Sequence, residues 1–355
     1  MTKQQSILGL LPEELTGLVK ERHFPAYRAK QILGWIYKKN IFCLLEMPNL
    51  PQDFCKALAG FLKVLSLTCV KKHVSAQDKT IKYVFKTEDG NFLESVFIPQ
   101  KGRFTVCLSS QAGCSFNCAF CASGSRGYKR NLTVAEIINQ LLWIKKEHSN
   151  NKITNIVFMG MGEPLANYES VLKAIKIFNH PDTLCFGARR ITISTCGLAP
   201  EISRLIKENL QVELSISLHA ANDKLRDKLM PVNKIYPLRD LIAAAREYTK
   251  VTHRVVTFEY VLISGINDRE QDAQELIRLL RTLKCKINLI PFNETENMQF
   301  RRVSPAQLNV FKDTLMKNGL KCTLRRSRGE DILAACGQLR LQLESAKNKA
   351  VTCNL

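Results

Sequence analysis

The sequence predicts an α/β fold: successive strand–helix units forming a parallel sheet, barrel-like or doubly wound, preceded by a small helical N-terminal domain joined to it by a β-hairpin. Three patterns carry this expectation. Up to about residue 70, apolar residues recur at helical spacing in short segments. From Thr80 to Pro99, "TIKYVFKTEDGNFLESVFIP" alternates on both sides of an Asp-Gly turn. From about residue 103, strand-like and helix-like stretches take turns. The divisions expected are 1–70 (helical accessory domain), 71–102 (linking hairpin), 103–346 (the α/β domain with its C-terminal segment) and 347–355 (tail).

Along the chain, "PAYRAKQILGWIYKKN" sets Ala29, Ile32, Leu33 and Ile36 on one helical face. Tyr27, Arg28, Trp35 and Lys38 either flank that small core or offer a basic, aromatic surface. Beyond the hairpin the candidate strands are "RFTVCLS", "TNIVFMG", "RRITIST", "VELSIS", "RVVTFEYVLI" and "KINLIP". Helices between most of them imply parallel pairing, because parallel neighbours need a crossover. The helix after the first strand is well marked. Thr133 and Glu136 form a capping-box pattern, followed by Val134, Ile137, Ile138, Leu141 and Leu142 on one face. In either parallel arrangement, a ligand site belongs at the carboxyl ends of the strands.

Lys and Arg number 52 against 32 acidic residues, a net charge of +20. Such a field favours a polyanion, and nucleic acid is the usual one. The basic residues are too dispersed for a membrane-surface helix. No apolar run reaches bilayer length, and "MTKQQSILGL" lacks the layout of a secretory signal, so a cytoplasmic location is expected. In that setting the 13 cysteines read as thiols or metal ligands rather than a disulfide framework. Cys43, Cys55, Cys69, Cys185 and Cys285 sit among apolar residues as small hydrophobes, and Cys353 lies near the C-terminus.

"CSFNCAFC" places Cys114, Cys118 and Cys121 at C-x3-C-x2-C spacing, directly after the first strand of the α/β region. Three thiolates so spaced suit three irons of a cubane cluster and leave the fourth for an exchangeable ligand. A zinc ion completed by a distant His or Cys is the alternative. The next strand ends in Gly160, Met161, Gly162 and Glu163. Its glycines let backbone approach a ligand and its carboxylate can accept from an ammonium group, unless the run is only a tight turn.

The cysteine spacing resembles the signature of the radical S-adenosylmethionine (SAM) superfamily. The segments "CLSSQAGC", "GYKRNLT", "MGMGEPLAN", "RRITIST", "SISLHA", "INLIPFN" and "AACGQL" together resemble the RlmN/Cfr family over nearly the whole chain. The resemblance implies a radical SAM partial (βα)6 barrel, with a [4Fe-4S] cluster on Cys114, Cys118 and Cys121 and SAM on the open iron. It also implies an RNA adenosine methyltransferase. The substrate would be carbon-2 of an adenosine in the peptidyl-transferase region of 23S rRNA, and of the adenosine 3′ to the anticodon in some tRNAs. That carbon is electron-poor and will not attack the methyl group of SAM, which is why a carbon radical has to be delivered to it.

By the same resemblance, Cys336 takes a methyl group from one SAM. Cys107 removes the ring proton and forms a disulfide with Cys336 as product leaves. Glu94 aligns with a proton acceptor, or is an outward residue of the hairpin. Gly162, Glu163, Ser194, Ser217, Leu218, His219 and Asn293 match SAM contacts, with His219 otherwise a core histidine. Arg130, Asn131, Arg325, Arg326 and Arg328 are candidate phosphate ligands, and the 1–70 domain an accessory RNA-binding unit. An external electron donor, a thiol reductant and a monomeric enzyme complete the expectation.

Two alternatives stand beside it: the carbon-8 chemistry of the Cfr branch, and a non-catalytic metal-binding RNA-binding protein. "GMGEPLAN" and "SLHAAN" resemble the carbon-2 branch, and a non-catalytic protein has no use for Cys107 and Cys336. The chain departs from the family pattern at Leu333, where Asp is usual before "AAC", and at Cys196, where a small or hydroxyl residue is typical. The segment "NETENMQFRRVSP" is also less glycine-rich.

Overall fold

The computed structural model describes residues 4–124, 127–294 and 299–339. Ten strands form one sheet whose spatial order follows the chain from end to end. The first are antiparallel: β1 (Leu67–Val74), β2 (Ile81–Thr87) and β3 (Phe92–Gln100). β3 pairs antiparallel with β4 (Arg103–Cys107). Pairing is parallel from there on, through β5 (Asn155–Phe158), β6 (Ile191–Thr195), β7 (Glu213–Ser217), β8 (Val256–Leu262), β9 (Cys285–Pro291) and β10 (Cys322–Leu324). Among the described residues β1 and β10 do not pair, so the wall stays open, as in a partial barrel.

The six strands from β4 to β9 are those expected, and β10 is an addition. Its three residues carry too little alternation to read as a strand. The hairpin turns at Asp89 and Gly90 as the Asp-Gly pair predicts, with Gly90 at φ +85°. Rather than standing apart as a link, it joins β1 and extends the sheet.

Three helices, α1 (Pro12–Glu21), α2 (Tyr27–Leu33) and α3 (Gln52–Ala59), build the N-terminal region. Ala29, Ile32, Leu33 and Ile36 are buried as their spacing requires, while Tyr27 is exposed and stacks with Arg28. The crossovers are α4 (Val134–Glu147), α5 (Tyr168–Asn179), α6 (Ala199–Ile206), α7 (Asp223–Leu229), α8 (Leu238–Thr252), α9 (Glu270–Leu280) and α10 (Pro305–Lys317). Inward strand residues such as Val106, Ile156, Ile193, Ile216 and Phe258 are fully buried. Each contributes roughly 1.5–3 kcal/mol by leaving water.

α4 does more than cover the sheet. The capping box forms, with Glu136 N–H on Thr133 Oγ1 at 3.2 Å and Thr133 N–H on Glu136 Oε2 at 2.8 Å. N-terminal chain packs over the outer face of the helix, so its polar residues are buried and must find partners. Asn139 Oδ1 accepts from Ser66 and Leu67 N–H, both at 2.8 Å. Gln140 accepts from Ser95 Oγ of β3 at 2.6 Å and from Ser109 N–H just after β4 at 2.8 Å. The helix thereby fixes the chain that leads into the cysteine loop.

Candidate active site

The cysteine loop is tied down on several sides. Gly113, before Cys114, has φ +83°, and a Cβ there would lie 1.9 Å from the Gly127 carbonyl oxygen, so only glycine fits. Ala119 N–H donates to Leu229 O at the end of α7 (2.9 Å), and Ala122 N–H to Gly337 O (2.7 Å). Ser123 Oγ donates to Leu339 O (2.9 Å). These bonds set Cys114, Cys118 and Cys121 along the wall of one cavity at the carboxyl ends of the strands.

Burial, with smaller repulsion from Cys121 and Glu163, pushes the Cys114 thiol up to about 12 and that of Cys118 well above its usual value. A cation is needed to hold both as thiolates. Among the described residues no three of His, Cys, Asp and Glu close around a single ion. Each iron of a cubane takes one cysteine, so three sulfurs spread along a wall suit a cluster with an open corner.

Glu163 stands opposite, at the end of β5. Its Oε1 accepts from Leu165 N–H (2.9 Å) and its Oε2 from Cys196 N–H (2.7 Å), while its own N–H donates to Gln111 Oε1 (2.9 Å). Burial pushes its carboxyl up, and the bonds from Cys196 and Leu165 oppose that. The carboxylate is thus fixed where an ammonium group could meet it. Gly162 lines the same cavity and has a packing reason as well: at φ +95°, a Cβ would sit 2.4 Å from Gln111 Cβ.

His219, after β7, has φ +57° and lines the same cavity. Its Nδ1 accepts from Val261 N–H at 3.0 Å, which fixes Nε2 as the protonated nitrogen of the neutral ring. Burial, and then Arg226, pushes its pKa down to about 3. Arg226 of α7 is itself fully buried. It donates to Leu218 O (3.1 Å), Cys196 O (2.8 Å), Ser217 O (3.0 Å) and Asn233 Oδ1 (2.8 Å), holding the ends of β6 and β7 in place. Ser194, Ser217 and Asn293 line the cavity as expected. Leu218 does not: it is fully buried, with its N–H on Glu259 O and its carbonyl on Arg226.

A second, wider cavity adjoins the first, sharing Met159, Glu259, Ile290, Asn293 and Cys336 in its walls. Cys107 and Cys336 both line it, together with Arg103, Arg325, Arg326 and Arg328. Both cysteines are thiols in this structure. Burial, then Cys336, pushes Cys107 up to about 12. Burial also raises Cys336, while the Arg325 guanidinium opposes it. Arg325 pairs with Glu259 at 3.1 Å, and Glu259 lies 3.4 Å from Ser194 Oγ, so one polar chain joins the two cavities. Asn293 Nδ2 donates to the Cys336 carbonyl at 3.0 Å.

Other expected residues stand elsewhere. Arg130 is held by Asp89 (2.5 Å) and Glu136 (2.8 Å), and its neighbour Asn131 is engaged by Gln111, Tyr128 and the Ala166 carbonyl. Arg130 thereby braces the hairpin turn against the start of α4, and Asn131 ties Gln111 and Tyr128 to the chain before α5; both side chains are engaged in these contacts rather than held out for phosphate. Glu94 is fully buried and pairs with buried Lys82 at 3.3 Å; it lines neither cavity. Cys353 lies outside the described residues. Glu259, Arg226 and Arg103 were not foreseen. Glu259 did leave a signal, as the one charge in the apolar strand "VTFEYVL".

Comparison with known proteins agrees with this geometry. Residues 108–280 match the radical SAM superfamily. The chain is 45% identical to a probable dual-specificity RNA methyltransferase RlmN of Moorella thermoacetica, over 96% of this chain and 98% of that protein. It is 44% identical to the dual-specificity RNA methyltransferase RlmN of Campylobacter lari, with the same coverage. A crystal structure of a radical SAM methyltransferase from Sphaerobacter thermophilus superposes with a TM-score of 0.92 at 44% identity, covering 95% of this chain and 99% of that one. Among the described residues no helix is long and apolar enough to cross a membrane. The chain belongs to the RlmN family of radical SAM RNA methyltransferases, enzymes that use a [4Fe-4S] cluster and SAM.

Proposed function

We propose that this enzyme methylates carbon-2 of an adenosine in the peptidyl-transferase region of 23S rRNA, and of the adenosine 3′ to the anticodon in some tRNAs, with Cys336 carrying the methyl group. The observation that carries the reading is the placing of Cys336. It borders both the cavity of the cluster cysteines and the arginine-lined cavity that holds Cys107. A methyl carrier has to face donor and acceptor in turn, and a residue bordering both cavities is suited to that.

Cys114, Cys118 and Cys121 would hold the cluster, and Glu163, Ser194, Ser217, His219 and Asn293 would seat SAM beside it. Bound there, the pair supplies a carbon radical next to Cys336. The chain's own residues do the rest. Cys336 Sγ, as the thiolate, would accept the methyl group of a first SAM, with S-adenosylhomocysteine as the leaving group. After the methyl carbon has joined the adenine ring, Cys107 Sγ takes the ring proton. One electron would return to the cluster, and the Cys107 sulfur would then bond that of Cys336 as the carbon–sulfur bond breaks, the released carbon taking a proton to complete the methyl group; a thiol reductant restores the pair. Arg326 and Arg328 would meet phosphate, and a base presented this way must be unstacked from its neighbours. We place the enzyme in the cytoplasm as a monomer served by an external electron donor, with residues 1–70 as an accessory RNA-binding domain.

Peptide mass analysis of the reconstituted enzyme after SAM addition tests this: the Cys336 peptide gains one methyl group. Nucleoside analysis of treated rRNA then yields 2-methyladenosine. The 8-methyl isomer would instead assign the enzyme to the Cfr branch, and an unmodified Cys336 would remove the carrier role. Cys107→Ala should accumulate a covalent protein–RNA adduct.

A further inference from the structure

Cys336 sits in a segment with little regular structure of its own, and a feature far away in sequence holds it. The β1–β2 turn grips residues 328–333 at several points. Gly329 N–H donates to Asp78 Oδ2 at 3.0 Å, and Arg328 lies 3.9 Å from the same carboxylate. Ala76 N–H donates to Asp331 Oδ2 at 3.1 Å. Lys82 Nζ donates to the Leu333 carbonyl at 3.2 Å and pairs with Glu94 at 3.3 Å. Lys82 is 3% exposed and Glu94 not at all, so this pair is shielded from water.

The gripped segment is shaped to fit. Gly329 has φ +64°, and a Cβ there would lie 2.9 Å from Thr80 Cγ2, so the chain passes too close to the turn for any side chain. Leu333 is left-handed as well, at φ +51°, a conformation unfavourable to leucine and held by its surroundings. Its carbonyl, turned toward Lys82, lies three residues before Cys336. The far side of the same loop is tied to the cysteine loop through Gly337 and to Asn293 through the Cys336 carbonyl.

We infer that Lys82, with Glu94 as its buried counter-ion and Asp78 beside it, positions Cys336 between the two cavities. Glu94 then serves the reaction through Lys82 and the Leu333 carbonyl rather than by taking a proton from substrate. A carboxylate buried against an ammonium and absent from both cavity walls is placed to fix that ammonium. The ammonium in turn fixes the chain that carries the sulfur. The inference rests on the reading of Cys336 as the methyl carrier, but the contacts it describes involve the chain's own residues alone.

Pulse alkylation of the cluster-free, SAM-free protein, read by peptide mass spectrometry, measures how often the segment opens. Lys82→Met/Glu94→Gln removes both charges while keeping their volume, so no lone buried charge is left. Alkylation of Cys336 should rise about ten-fold over the parent, the gain in open population when a charge-assisted hydrogen bond is lost. Exposed Cys185 serves as the reference and stays constant. Lys82→Arg should keep the parent rate at Cys336. Asp78→Ala, which leaves the buried pair alone, should raise it about three-fold, and decides the matter if the double variant does not fold. In the reconstituted enzyme, the double variant should lower kcat and leave KM for RNA unchanged. A parent rate at Cys336 in the double variant, or in Asp78→Ala where the double variant does not fold, would overturn the inference. Absence of methyl from Cys336 in the parent enzyme would instead overturn the carrier reading, and the alkylation rates would still judge the latch.

Discussion

Arg226→Met is the sharpest test of how the site is built. The guanidinium is fully buried and satisfies four acceptors: the carbonyls of Cys196, Ser217 and Leu218, and Asn233 Oδ1. Methionine fills similar volume but donates nothing. Bonds from a charged donor are worth about 1.5–3 kcal/mol each, and an orphaned buried acceptor costs about 1–3 kcal/mol. Four such losses, less the desolvation recovered when a buried charge is removed, give a net of roughly 3–5 kcal/mol. Arg226→Lys keeps the charge but lacks the planar fork, and should lose about 2 kcal/mol. Denaturant unfolding of the cluster-free protein measures both. Because α7 also receives Ala119 N–H from the cysteine loop, the methionine variant should take up less iron on reconstitution. A loss under about 1 kcal/mol with full iron content would refute the argument, since it would mean the strand ends need no such clamp.

Three further outcomes follow from named contacts. His219 stays neutral in the fold down to about 3, whereas the unfolded chain takes up a proton below about 6.5. Stability therefore falls as pH drops from that value toward 3, by roughly 1 kcal/mol at pH 5.5, and His219→Gln should lack this acid limb in pH-dependent denaturation of the cluster-free protein. Leu333→Gly relieves a left-handed leucine and should raise stability by about 0.5–1 kcal/mol, read as a higher Tm. Arg130→Ala should destabilise by about 1–2 kcal/mol, because Glu136 is left without its cation. It should leave the salt dependence of RNA binding unchanged, whereas Arg326→Ala, in the second cavity, should reduce that slope by about one.

What could be read in advance was local. Alternation in "TNIVFMG" or "VELSIS" and the Thr133–Glu136 spacing are properties of adjacent residues, so β4 to β9 and α4 fell where their patterns put them. The C-x3-C-x2-C spacing is equally local, and all three cysteines face one cavity. β10 escaped because three residues beside basic neighbours have no period to show. Long-range polar pairing was not legible at all. Arg130 reads as a surface cation until Asp89, 41 residues earlier, is found beside it. Lys82 and Leu333 are separated by 251 residues, and no pattern of apolar spacing reports that they meet. Glu94 was singled out by family resemblance, yet its partner lies on the neighbouring strand, and the sequence offers no way to rank an ion pair above a proton transfer.

The end-to-end strand order has a consequence for how the molecule is made. Each strand meets its sheet neighbour already synthesised, so a nascent chain can lay down its wall in the order of translation. The contacts of residues 76–82 with 329–333 obey no such order, and form only when the distal stretch has emerged from the ribosome. A nascent chain can thus carry its cysteine loop before the stretch bearing Cys336 exists, and that stretch takes its place only against a turn folded long before it.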